Sequence, residues 1–310
     1  MPVLAPRLIP ALAAVAALAV FAGCGSSNKS SSTSTSSSTP ATSTSSSSAP
    51  SKDANVAALV PAAIKSKGTL TVAADASYAP NEFIGSDGKT VEGMDADLAK
   101  ALASVMGLKA SVKNQTFDSI IPGLASNKYD LGMSSFTDTK EREKTVDFVT
   151  YFSAGTSFYA KTQGAPTVNS LADLCGLKVA VEKGTTQADD SNAQSKKCTA
   201  AGKKGVSVSV FPDQNGANLA ISSGRAQIGM ADSPVAAYQV KKSNGQFKLL
   251  GQPYGTAPYG IAMNKKSGLA KPVLAGIKAL IANGAYKSIL DKWGIQAGAI
   301  SSPVINGATS

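Results

Sequence analysis

The chain has 310 residues, 43% hydrophobic and 16% charged, with a formal charge of +10 and no histidine. Without histidine there is no Ser-His-Asp or Cys-His catalysis and no histidine-based metal site, and no cysteine cluster, carboxylate array or phosphate-loop glycine spacing replaces them. No metal, cofactor or enzyme is therefore expected, and the positive charge, 27 scattered lysines against three arginines, lacks the clustered stripe of a nucleic-acid binder.

The first 23 residues read as a secretory leader: Arg7, then an apolar run over 8–22 that contains Pro10 and is short for a membrane span. The run ends Phe21-Ala22-Gly23-Cys24. Small residues before a cysteine resemble the bacterial lipoprotein cleavage signal, in which Cys24 becomes the lipidated first residue. Phe21 departs from the leucine usual at its position, and an ordinary signal peptide with an incidental cysteine is the alternative. Residues 25–52 are nearly all Ser, Thr, Ala, Pro and Gly, too polar and small to bury a core. Residues 24–55 are thus expected to be a lipidated cysteine and a flexible tether reaching roughly 30 Å. Export leaves Cys175 and Cys198, which pair in an oxidising compartment and would contribute ~3 kcal/mol by loop closure; two free buried thiols are the alternative.

From there strand-like and helix-like patterns alternate, the signature of an α/β architecture. A short apolar run at 70–74 reads as a strand, and Asp87-Gly88 as a turn. A helix opens at 95–103 with acidic residues in its first turn and ends near Gly107. A strand at 110–113, a helix beginning at 117–124 and a strand at 130–134 follow, with 148–152 and 157–161 leading away. A second block has strands at 177–181, 206–211 and 226–231, a strand-to-helix turn at 184–187 and a helix at 217–222. A strand at 259–263 and amphipathic helices at 273–283 and 285–293 close the chain.

Arg142 stands out because the chain meets most of its need for positive charge with lysine; Arg7 falls in the leader, and Arg225 reads as a surface residue. Arg142 follows an apolar strand in Ser134-Ser135-Phe136-Thr137-Asp138-Thr139-Lys140-Glu141-Arg142, in the first turn of an expected helix. Positive charge is disfavoured there, whereas a guanidinium fork suits bidentate capture of a carboxylate. A carboxylate site is one reading; a surface or structural ion pair is the other. Thr137 or Asp138 could also cap the helix, with Glu141 completing a capping box.

Several segments in order are similar to the bacterial extracellular solute-binding proteins of family 3, the polar amino-acid receptors of ABC importers. They are Asp75-Ala76-Ser77-Tyr78-Ala79-Pro80, Gly93-Met94-Asp95-Ala96-Asp97-Leu98, Phe117-Asp118-Ser119-Ile120-Ile121-Pro122, the stretch 130–142, Val146-Asp147-Phe148, Gly184-Thr185-Thr186-Gln187 and the run 286–293. The resemblance covers roughly 66–297. It implies a type II two-lobed periplasmic-binding-protein fold, α/β, with lobes joined by two crossover strands: lobe 1 at 56–159 plus 254–310, lobe 2 at 160–253.

It also implies roles. Arg142 would grip a ligand α-carboxylate; Ser135 and Thr137 would supply a carbonyl and a hydroxyl to the α-ammonium, and Thr137 a backbone N–H to the carboxylate. Thr186 would offer its N–H to the carboxylate and Asp232 would take the ammonium. Tyr78 and Phe117 would flank the side chain, and Asp75 would face its pocket. Glu82 receives no role, since Asn81 stands where many members place an aromatic residue after the proline. The implied protein is a lipid-anchored, extracytoplasmic monomer that passes a free amino acid to ABC permease subunits. The alternatives are a cyclohexadienyl dehydratase-like enzyme using Glu182 or Asp232, and a ligand-sensing subunit of a separate receptor.

Overall fold

The computed structural model describes residues 50–309, so the expected leader, Cys24 and the tether up to residue 49 lie outside the described residues. The strands are β1 (Thr69–Ala74), β2 (Ser77–Tyr78), β3 (Glu82–Ile84), β4 (Val91–Glu92), β5 (Lys109–Asn114), β6 (Leu131–Gly132), β7 (Val146–Lys161), β8 (Lys178–Glu182), β9 (Ser207–Phe211), β10 (Ile228–Asp232) and β11 (Phe247–Asn264). The helices are α1 (Ala54–Leu59), α2 (Ala62–Lys67), α3 (Met94–Val105), α4 (Phe117–Ala125), α5 (Lys140–Glu143), α6 (Thr186–Ala200), α7 (Gln214–Ser222), α8 (Ser233–Lys242), α9 (Ala270–Ala282) and α10 (Ala285–Trp293).

Eight strands form one sheet in the order β5-β1-β6-β11-β7-β10-β8-β9, and β2, β3 and β4 form a small antiparallel one. Two parallel triplets thus flank a central antiparallel pair: β5-β1-β6 on one side and β10-β8-β9 on the other. The central pair, β7 with 16 residues and β11 with 18, passes through both halves. Its register shifts between Leu250 and Tyr254, between Tyr254 and Ala257, and between Tyr259 and Gly260.

The inner parallel strands β1, β6, β8 and β10 are mostly buried, whereas the edge strands β5 and β9 are partly exposed. In α3, Leu98, Leu102 and Val105 recur at helical spacing and are buried with Ile277 and Leu280 of α9 and Leu290 of α10. Each such side chain contributes roughly 1.5–3 kcal/mol. A separate cluster of Phe158, Val179, Val181, Ile228 and Met230 serves the other half. Cys175 and Cys198 are bonded, with Cα atoms 5.6 Å apart, and tie the approach to β8 to the end of α6.

Residues 53–55, counted with the tether, instead begin the fold: Asp53 caps α1 by accepting the Asn55 and Val56 N–H groups, and its own N–H donates to the Val105 carbonyl at 3.0 Å. Among the described residues no single helix is long and apolar enough to cross a membrane.

Candidate functional site

In an open parallel sheet the strand carboxyl ends and the helices that follow them frame a crevice. Here β1 ends at Ala74 and delivers Asp75, and β6 ends at Gly132 and delivers Ser134 to Thr137. From the other half β8 delivers Glu182 and the start of α6, and β10 ends on Asp232. These ends surround a narrow cleft whose free space is about 20 Å³. Tyr78, Phe117, Ser135, Thr137, Arg142, Thr186 and Asp232 all line it, as do Thr185, Gln187, Gln214, Ala231 and Val235.

Arg142 sits in a single helical turn capped by Thr139, whose hydroxyl accepts the Arg142 N–H at 3.2 Å. Thr137 and Asp138 are therefore not the cap, and Thr137 is left at the cleft. The guanidinium donates to the Thr137 carbonyl at 2.7 Å and, across the cleft, to the Gly184 carbonyl at 3.0 Å. Phe117 and Phe136 stack at 4.4 Å, and the guanidinium lies 5.3 and 5.5 Å from their ring centres. Burial lowers the Arg142 pKa, opposed chiefly by Asp232.

Gly184 reaches its position with φ +77°, a conformation that side chains strain to adopt, and so turns β8 into α6. Thr185 caps α6 by accepting the Ala188 N–H at 3.2 Å. Thr186 is then the first helical residue, whose N–H has no intrahelical acceptor and favours an anion.

Asp232 is held by the Tyr259 hydroxyl at 2.6 Å and by the Gln187 amide at 2.6 Å, which also donates to Thr156 at 2.9 Å. Burial pushes its pKa up to about 6, against those two hydrogen bonds and the attraction of Arg142. Arg142 and Asp232 form no direct ion pair, so a positive and a negative group face one cavity. That is the charge pattern of a site for a zwitterion.

Asp75 does not line the cleft. Its carboxylate accepts the Ser77 N–H at 3.1 Å, the Ser77 hydroxyl at 2.6 Å and the Phe117 N–H at 3.0 Å. Burial nevertheless raises its pKa. Glu182, 1% exposed, lies beside Asp75 and Tyr78 with neither oxygen in hydrogen-bond geometry. Burial, then Asp75, push its pKa up to about 10. The two acids thus back the aromatic wall of the cleft. Tyr78 meets Phe117 edge-on at 5.9 Å, and the parallel partner of Phe117 is Phe136.

Sequence reasoning missed Gln187, Gln214 and Tyr259. Gln187 stood in a segment singled out for its turn, where only the threonine was assigned. Gln214 and Tyr259 had no local signal: Gln214 reaches the cleft through α7, and Tyr259 reaches Asp232 from behind through pairing of β11 with β7. Glu82, which received no role, is fully buried behind Ser135 and does not line the cleft.

Residues 70–296 match the family described as bacterial extracellular solute-binding proteins, family 3. The chain is 35% identical over 252 residues to the arginine-binding protein ArgT of Corynebacterium glutamicum, covering 81% of this chain and 82% of that one. Among solved structures it resembles a mutant of ArgBP from T. maritima, at 31% identity and TM-score 0.69, covering 75% of this chain and 97% of that one. An ancestral arginine-binding protein bound to arginine is 36% identical with TM-score 0.67, covering 73% and 98%. The mixed sheet with its two crossing strands is the type II periplasmic-binding-protein fold shared with these structures. With the match running from β1 to the end of α10, the chain belongs to the bacterial extracellular solute-binding proteins, family 3.

Proposed function

We propose that this protein captures a free amino acid with a cationic side chain, arginine first among them, and delivers it to the membrane subunits of an ABC importer. The observation that carries the reading is the single cleft in which Arg142 faces Asp232 and the start of α6. Arg142 and the N–H groups of Thr137 and Thr186 take the α-carboxylate, and Asp232, the Ser135 carbonyl and the Thr137 hydroxyl take the α-ammonium. These charges cancel for a zwitterion. Asp75 and Glu182 stand behind Tyr78 and Phe117; burial keeps Glu182 neutral in the empty cleft, and a guanidinium at the other end of the ligand would favour the ionised form of both acids. The names of ArgT and of the arginine-bound ancestral protein support the same ligand class.

The two parallel triplets act as lobes, 56–159 plus 254–310 and 160–253, that close on the ligand about β7 and β11. Outside the described residues, Cys24 carries the lipid and the Ser/Thr-rich segment tethers a monomer at the outer face of the cell membrane. Palmitate labelling of wild type and Cys24→Ser, and light scattering of the mature chain, test the anchor and the monomer.

Calorimetry of the mature protein against the common amino acids tests the function. Micromolar or tighter binding of arginine supports it. Binding of glutamine alone would move the ligand class, and binding of none would remove the function.

A further inference from the structure

Directly behind Ser135 lies a carboxyl pair that no ligand reaches. Glu82, on β3, is 0% exposed, and Asp95, in the first turn of α3, is 1% exposed. The side chains interact with each other, and no cation contributes to the titration of either. Ser135 is clamped between them. Its N–H donates to Asp95 Oδ2 at 2.9 Å, its hydroxyl donates to Glu82 Oε2 at 3.1 Å, and the Asn81 amide donates to the same hydroxyl at 2.9 Å. The Tyr151 hydroxyl from β7 adds a fourth contact, to Asp95 Oδ2 at 2.9 Å. Tyr151 and, more remotely, Tyr259 on β11 are the other titratable groups facing the pair.

Two features show what this clamp does. Ser135 has φ 50°, a left-handed conformation that a non-glycine residue keeps only when its surroundings impose it. Its hydroxyl is turned inward, so its main chain is what it offers the cleft. Glu82 Oε1 and Asp95 Oδ1 have no donor. Two buried acceptors cannot satisfy one another, and two adjacent carboxylates without a cation repel; one proton between them removes both problems.

We propose that Glu82 and Asp95 share one proton and act as a positioning pair, holding Ser135 in its left-handed conformation so that its main chain meets the ligand ammonium. Glu82 is the protonated partner: burial and Asp95 raise its pKa well above the carboxylate range, while Tyr151 and the Ser135 N–H hold Asp95 lower, at about 6. The ligand half of the statement rests on the amino-acid-binding reading; the proton and the clamp do not.

The test compares wild type, Glu82→Gln and Glu82→Leu. Gln can donate to Asp95 and accept from Ser135, whereas Leu can do neither. The infrared difference spectrum of wild type minus Glu82→Gln at neutral pH is expected to show one protonated-carboxyl carbonyl band; its absence overturns the shared proton. With L-arginine as the probe, Glu82→Gln is expected to bind within about twofold of wild type and Glu82→Leu at least about tenfold more weakly. Wild-type affinity in a folded Glu82→Leu, or failure of Gln to restore binding, overturns the positioning role. If Glu82→Leu does not fold, the infrared band and the Gln variant decide. If wild type binds no amino acid, the functional reading fails, and the infrared band still decides the proton.

Discussion

A guanidinium and an ammonium differ most where a planar anion must be met by donors already in place. Arg142 spends one donor on the Thr137 carbonyl beside it and rests against Phe117 and Phe136, so its plane is set within one half of the molecule before the ligand arrives. Lysine has neither the fork nor the planar stack. Arg142→Lys is expected to weaken arginine binding by about 2–5 kcal/mol in calorimetry while the fold melts as a single transition. Wild-type affinity there would remove Arg142 from the carboxylate. Asp232 sets the pH dependence. Its folded pKa is raised to about 6, and the ligand ammonium needs the carboxylate form. Through this group affinity should therefore fall as pH drops through 6, by up to about tenfold per unit, and glutamine, which leaves Glu182 unchanged, should show no further rise above about pH 7. A constant affinity down to pH 5 would contradict that role. Glu182 carries the opposite signature: with its pKa near 10 it is neutral at pH 8, and an adjacent guanidinium favours its ionised form. Arginine binding at pH 8 should release protons, read from the dependence of the heat on buffer ionisation. Glutamine, with no charge to offer, should release none from this group.

At the scale of elements, what the sequence revealed depended on whether local pattern or tertiary pairing decides the backbone. The short parallel strands β1, β8 and β10 and the amphipathic α9 and α10 carry their own periodicity and lie where the apolar runs predicted. Only the last third of β11 was legible, because Gln252-Pro253-Tyr254-Gly255-Thr256-Ala257-Pro258 is punctuated like a loop, and its strand form comes from pairing with β7 across three register shifts. The two- and three-residue strands β2, β3 and β4 are too short for any period, so the hairpin carrying Tyr78 and Glu82 was invisible. In the site, the rare arginine, the strand-end acid Asp232 and the turn at Gly184 were legible. The buried acids were not, since nothing local says that Asp75 is pinned by Ser77 or that Glu82 faces Asp95. The bond between Cys175 and Cys198 was legible from compartment arithmetic and ties the far end of α6, 23 residues along the chain. The double variant Cys175→Ala, Cys198→Ala is expected to lose ~3 kcal/mol of stability in denaturant melts. Its affinity for arginine should stay near wild type, because Thr186 is positioned by the Thr185 cap at the other end of the helix. A large loss of affinity without loss of stability would show that the bond shapes the cleft instead.

For the whole molecule, the two parallel triplets share β7 and β11 and otherwise meet across the cleft. Polar links between the halves include Arg142 to the Gly184 carbonyl at 3.0 Å, the Gln214 N–H to the Ser77 hydroxyl at 3.1 Å, the Tyr259 hydroxyl to Asp232 at 2.6 Å and an exposed Lys183–Asp118 pair at 2.8 Å, and Tyr78 and Phe117 share an apolar cluster with Ala217 and Val235. Exposed pairs of that kind contribute little by themselves. A ligand that bridges the halves adds to these links, and Arg142 with Asp232 supplies the bridge points. The register shifts between Leu250 and Gly260 place the irregular backbone of β11 where a hinge would have to bend. The expected outcome is a two-state response: the radius of gyration of the mature protein in solution scattering should decrease when arginine is added. In Asp232→Asn, which keeps the shape of the side chain but not its charge, the decrease should require far more arginine. If arginine binds in calorimetry and the radius does not change, the cleft is preformed, and selectivity comes from a rigid site rather than from closure.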